Sequence, residues 1–382
     1  MRPWLSVIIP TYNGERFLHE ALTNVAAQHD ADVEVVAIDG GSADGTRDIL
    51  RRWSRHLRLV MIERPHSGDW VSSTAMGMAV AEGEYLCWLH QDDTWCKGRL
   101  AALRRQLSAE PHAAFIVHPC WYSNSRGERI GYWRCPLPRT DRLLRFDEVA
   151  SPLLVQCSIA TCGAIFSCEA ARSIGSPDPA LPYHADWDYW LRLARLGRTL
   201  YHHTPRASFR IHAASQTISR AGESDRRLAE ARAILRRHLP HLAARGQDVA
   251  RLEEVAAVSA EVNHALNSLV AGQAVDILGP LWRAAALGPT GWTRRLRDSR
   301  LVERCLSRLQ ASSGLRPLLL ARLADGTRRR RPQRNAANLA HPVHADSAEH
   351  GRLGTVPRDS IAIHVAPTAR APTRVAAEMQ RT

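Results

Sequence analysis

Apolar positions change period in a regular alternation over the first 110 residues. LSVIIP is an unbroken, β-branched run, as expected of a strand buried on both faces. ERFLHEALTNVAAQ then sets Phe17, Leu18, Leu22 and Val25 at helical spacing. VEVVAIDGG reads as a second strand, and Asp44 can cap the helix DGTRDILRRW that follows. LRLVMIERP reads as a third strand, Ser72 to Ala81 as a helix, EYLCWL as a fourth strand and GRLAALRRQLSA as an amphipathic helix. Strands alternating with helices at this interval predict an α/β domain, with a mostly parallel, Rossmann-like central sheet covered on both faces.

The pattern changes near residue 113. AFIVHPCWY, RIGYWR and CSIATCGAIFS look like strands, in part antiparallel. DWDYWLRLARLG is an amphipathic helix, and ASFRIHAASQT is a strand running into a loop. From Glu223 to Leu323 the chain is rich in Ala, Leu and Arg at helical period, and RRRRPQR then opens an aperiodic, polar stretch. The expected organisation is an α/β domain over 1–222, a helical C-terminal region over 223–324, and a basic, disordered tail over 325–382.

Ligands of open α/β sheets sit beyond the carboxyl ends of the strands. Four polar loops fall there: PTYNGE, DGGSADGT, RPHSGDW and HQDDTW. The last places Asp92 and Asp93 side by side at the end of a buried strand, where like charges repel and resist desolvation. A solvated turn would tolerate them, and a divalent cation would give them a purpose. Mg2+ and Mn2+ take oxygen ligands and commonly bridge protein carboxylates to phosphates. The turn after the first strand fits neither a Walker phosphate loop nor a G-x-G-x-x-G dinucleotide site. P-loop hydrolysis and Rossmann dinucleotide chemistry are therefore not expected.

Charge narrows the partners. The net charge of +13 and pI near 10.0 suit phosphates, anionic lipid or nucleic acid. No recognition helix, zinc finger or RNA-binding motif supports the last, so no nucleic-acid partner is expected. The eight cysteines include no C-x-x-C, which reads as buried, reduced thiols of a cytoplasmic protein. MRPWLSVIIPTYN suits a first strand better than a signal peptide, and no stretch of 18 apolar residues spans a membrane.

SVIIPTYNGERFLHEAL, VVAIDGGSADGT, EGEYLCWLHQDDTW and HADWDYWLRLARLG, in that order, resemble the signature of family-2 glycosyltransferases over roughly residues 4 to 217. The resemblance implies a GT-A fold and an inverting transfer of a sugar from a nucleotide-diphosphate donor. The acceptor would be a glycan or lipid-linked molecule of surface-polysaccharide assembly. By position, Pro10, Thr11 and Tyr12 would line the nucleoside pocket, Asp39 would bind the base, and Ser42 and Asp44 would complete that loop. Asp92 and Asp93 would hold Mn2+ or Mg2+ against the diphosphate, and Asp186 would be the catalytic base, with Asp188 its rival. FRIHAASQT, with Arg210, His212 and Thr217, resembles a loop that closes on the donor diphosphate. The sequence departs from the family at His90, Ala75 and Lys97, where it more often has an acidic residue or Asn, Asn and Pro respectively. The first two departures motivate an alternative, a member that binds nucleotide sugar without turnover. Trp187 and Trp190 suit either a sugar-stacking surface or the core. The arginines at 328–331 could hold the chain peripherally at anionic lipid.

Overall fold

The computed structural model describes residues 2–65, 69–212, 214–215, 222–270 and 278–299, together with the backbone of 362–365. Four parallel strands form its centre: β1 (Leu5–Thr11), β2 (Val33–Asp39), β3 (Arg58–Glu63) and β4 (Tyr85–Trp88). Between them lie α1 (Glu15–Ala26), α2 (Thr46–Trp53) and α3 (Trp70–Val80). The chain steps outward from β1 to β2 to β3, then returns so that β4 pairs with the opposite edge of β1. That reversal opens a crevice beyond the ends of β1 and β4.

Alternation along the strands feeds two cores. Val7, Ile9, Val35 and Ala37 face α1, α2 and α4 (Arg99–Ala109), through Leu18, Leu22, Leu50 and Leu103. Ile8, Val36 and Ile38 face the other side with Val71 of α3. The strands predicted after residue 113 divide more finely. AFIVHPCWY breaks at Pro119 into β6 (Phe115–Val117), in the main sheet, and β7 (Cys120–Ser123), in a second sheet. The second sheet runs β5-β12-β7-β8, with β5 (Thr94–Trp95), β8 (Arg129–Trp133) and β12 (Ala207–Arg210). CSIATCGAIFS is not one strand. A single 3-10 turn at Thr161–Gly163 precedes β10 (Ala164–Ser167), which pairs antiparallel with β4.

The main sheet continues through β11 (Thr199–Tyr201) to β9 (Arg142–Leu144). Helices α5 (Phe146–Val155), α6 (Cys168–Ile174) and α7 (Ala185–Leu196) complete this half. The helical region expected from 223 is present as α8 (Ser224–Ala243), α9 (Val249–Val270), α10 (Leu278–Ala286) and α11 (Gly288–Ser299). It is continuous with the α/β core, since Ile234, Leu235, Val255 and Val258 share one apolar cluster with Trp88 and Trp190. The tail from 325 lies outside the described residues except for β13 (Ala362–Val365), which pairs antiparallel with β3. Among the described residues no helix is long and apolar enough to cross a membrane.

Gly77 tests the packing of α3. A Cβ there would stand 2.5 Å from Ile38 Cδ1 and 2.6 Å from Ile8 Cγ2. Overpacking costs about 1–3 kcal/mol, while Gly to Ala in a helix returns about 1 kcal/mol. Gly77→Ala should therefore lower the urea midpoint without changing the denaturant slope. A midpoint at or above wild type would mean that α3 can move off the sheet freely.

Candidate active site

The loops after β1 and β2 are built as one unit. Asn13 takes a left-handed φ of 46°. Its N–H donates to Ser42 Oγ at 2.9 Å, and its Oδ1 accepts from Ala43 N at 2.9 Å. Asp44 accepts from Glu15 N at 3.1 Å and Thr46 N at 3.0 Å, while the Glu15 carboxylate accepts from Gly45 N at 3.1 Å. The N-cap of α2 is Gly45, without a side-chain cap, and Asp44 one residue earlier instead joins the first turns of α1 and α2. Gln91, in the turn after β4, closes the third side: it accepts from Tyr12 N at 2.9 Å and donates to Tyr12 O at 3.0 Å.

These bonds locate the predicted donor residues. Pro10 and Thr11 are buried at the end of β1, and Tyr12 stands out from the crevice wall at 42% exposure. Asp39 is fully buried. It accepts from Ser42 N at 2.9 Å and from Thr11 Oγ1 at 3.3 Å, with the Arg47 guanidinium 3.8 Å away. Asp39, Ser42 and Asp44 therefore brace the loop, and of this set Tyr12 presents the exposed side chain.

The acidic pair lies across the crevice, where β12 of the second sheet runs past the turn after β4. Asp93 is 1% exposed, and its Oδ1 accepts from Arg210 N at 3.0 Å. Its Oδ2 is buried with no hydrogen-bond partner among the described residues. Burial, with Cys162 and Asp92 beside it, pushes this carboxyl well above the usual range. Asp92 meets His212 Nε2 at 2.8 Å. Burial opposes its ionisation, but the His212 hydrogen bond and the imidazoles of His90 and His212 outweigh it and hold the carboxyl low. His90 completes the group: one ligand atom from each of His90, Asp92 and Asp93 falls within 4.8 Å of the others. Among the described residues, no other such group of three is found. Two carboxylates and one imidazole around a buried, unsatisfied oxygen fit a divalent cation.

Arg210 does not reach into the crevice. At 2% exposure, its Nε donates to Asp92 O at 2.8 Å, its Nη2 pairs with Glu20 at 2.6 Å, and its guanidinium lies 4.9 Å over Phe17. It holds the acidic turn rather than presenting a free charge to a diphosphate. Thr217 lies outside the described residues.

Asp186 and Asp188, both in the first turn of α7, part ways. Asp188 is fully buried and pairs with Arg192 at 2.8 Å, Arg237 at 2.9 Å and His238 at 2.8 Å. It ties α7 to α8. Asp186 is half-buried on the crevice side, accepting from Trp187 N at 2.8 Å and Thr161 Oγ1 at 3.4 Å. Burial raises its carboxyl, with His184 and His90 opposing. Its charge favours the protonated form of the His90 imidazole, against the burial that lowers it. Trp187 and Trp190 are core, the former donating to Leu153 O at 2.7 Å. Glu230 of α8, invisible to sequence motifs, accepts from Tyr183 N at 3.1 Å and meets His184 Nδ1 at 3.2 Å, fixing the entry to α7.

Residues 6–175 match the family model described as glycosyl transferase family 2. An uncharacterised glycosyltransferase of Rickettsia typhi is 26% identical over 215 residues, covering 56% of this chain and 66% of that protein, so the chain spans slightly under two thirds of that relative's length. The putative teichuronic acid biosynthesis glycosyltransferase TuaG of Bacillus subtilis is 32% identical over 102 residues, 26% of this chain and 40% of that one. Among solved structures, residues 1–349 of S. aureus TarS in complex with UDP-GlcNAc superpose with a TM-score of 0.53 at 18% identity, covering 85% of this chain and 89% of that one. That likeness is one of fold.

Proposed function

We propose that this chain, whose residues 6–175 match the model of glycosyl transferase family 2, transfers a sugar from a nucleotide-diphosphate donor to a glycan or lipid-linked acceptor in surface-polysaccharide assembly. One observation carries the reading. At the crevice of a GT-A sheet, a cation-sized cluster of His90, Asp92 and Asp93 contains a buried carboxylate oxygen without a partner among the described residues, and a separate carboxylate, Asp186, acts electrostatically on His90.

Tyr12 and the braced loop of Asp39, Ser42 and Asp44 would shape the nucleoside pocket. Asp92 and Asp93 would hold Mn2+ or Mg2+, which supplies positive charge against the diphosphate when bound. Arg210 and His212 keep that turn in place. Asp186 takes the proton of the acceptor hydroxyl, from the side of the sugar opposite the diphosphate. Attack from that side inverts the anomeric centre. The positive net charge of the chain suits peripheral association with the cytoplasmic face of an anionic membrane.

Calorimetry of UDP and GDP binding, with and without Mn2+, tests the reading. The wild type should bind one nucleotide more tightly when Mn2+ is present, and Asp92→Ala/Asp93→Ala should erase that enhancement. Equal enhancement in the double variant would remove the cation from these residues.

A further inference from the structure

We propose that His90 is a nitrogen ligand of the cation, and that it makes this site selective for a transition metal such as Mn2+ over Mg2+. The inference rests on the cation reading above and assigns to it a residue and a metal preference. His90 lies two residues past the end of β4, and its ring packs edge-on to Trp70, the centroids 5.2 Å apart. That contact leaves Nε2 buried with no hydrogen-bond partner among the described residues. Asp93 Oδ2, on the same turn, is likewise buried and unpartnered. Other buried side-chain atoms among the described residues also lack a partner, but these two belong to one group of residues with ligand atoms within 4.8 Å of one another, which points to a shared missing partner.

The neighbours determine what that partner is. Asp93 Oδ1 is occupied by Arg210 N and one Asp92 oxygen by His212, so both carboxylates are oriented from outside the cluster. The ligand atoms of His90, Asp92 and Asp93 lie within 4.8 Å of one another. A cation with ligands at about 2.1 Å holds adjacent octahedral donors about 3 Å apart and opposed ones about 4.2 Å apart, so the turn needs to draw in by up to about 2 Å. A water would satisfy one orphan but gives no reason for two carboxylates to converge on it. An imidazole nitrogen is a poor ligand for Mg2+, which prefers oxygen, and a good one for Mn2+, Co2+ or Zn2+. One nitrogen among oxygens therefore moves the site towards the transition series.

Electron spin echo spectroscopy on Mn2+, with protein in excess so that the metal is bound, reads the ligand atom directly. Wild type should show modulation from a coordinated imidazole 14N. His90→Asp should still bind Mn2+ but lose that modulation, and its Mn2+-to-Mg2+ affinity ratio should fall about tenfold. His212→Asn is the control for the other nearby imidazole and should keep the modulation. Bound Mn2+ without 14N coupling in wild type would overturn the assignment while leaving the cation reading intact. Coupling retained in His90→Asp but lost in His212→Asn would transfer the role to His212 and overturn it equally. Failure of Mn2+ to bind wild type at all would overturn this assignment and the cation reading together.

Discussion

Asp186→Asn should fold as well as the wild type, bind donor nucleotide with Mn2+ unchanged, and transfer sugar roughly 100-fold or more slowly, the scale for loss of a general base. Folding is expected to survive because burial already works against the charge of Asp186 and raises its carboxyl. Asn removes that charge at similar size and can still accept from Trp187 N and Thr161 Oγ1. The same elevation has a kinetic signature. A base must be ionised to act, so the acid limb of the wild-type pH profile for kcat/KM should lie above the ordinary carboxylate value of 3.8. Glu230 and His184 set the first turn of α7, so they belong to the supporting structure and not to the proton transfer. Steady-state kinetics on the donor and acceptor, across pH, decide the matter. Near-normal turnover in Asp186→Asn would remove it as the base.

Apolar period governs the part of this fold that is legible in sequence. Strands β1 to β4 and helices α1, α2 and α4 follow from apolar spacing, because each buries an apolar face and local pattern and tertiary environment agree, whereas α3 buries Ser73, Thr74 and Gly77 beside Val71. The segments after residue 113 are less legible. Pro119 divides one apolar run between two sheets, and the turn at Thr161–Gly163 cuts another. A short apolar run carries no information about which sheet will receive it. The ordered motifs predict Asp92, Asp93 and Asp186 for one site. They do not show the roles of Gln91 and Arg210, because their partners are distant: Tyr12 lies 79 positions from Gln91, and the Asp92 carbonyl 118 from Arg210. Arg210 in an arginine-rich chain resembles any surface charge until its burial is known. Asp186 and Asp188 cannot be separated by sequence either, since only the arrival of α8 decides which of them is enclosed.

Asp188→Asn should act on stability, not on chemistry, and should cost more stability than Gly77→Ala. Its carboxylate faces Arg192, Arg237 and His238 with no solvent exposure of its own. Breaking a buried ion pair by removing one partner costs about 3–5 kcal/mol, because the remaining charges stay desolvated. Arg237 is 43% exposed and can turn towards water, which argues for the lower end, about 3 kcal/mol. Burial alone would raise the Asp188 carboxyl, but the His238 hydrogen bond and the two arginines outweigh it and hold it below 3.8. A depressed folded-state value means that the stabilisation is complete above the unfolded value and is lost as pH falls through the folded one. Urea midpoints of wild type and variant should therefore differ equally at pH 7 and pH 5, and converge only below about 3.8. Hydrogen exchange should quicken along α8, which the network ties to α7. Transfer by the folded fraction should stay within a few-fold of wild type, since Asp188 faces α8 and away from the crevice. An Asp188→Asn protein that is as stable as wild type yet inactive would reverse both assignments, making Asp188 the base and Asp186 the structural partner.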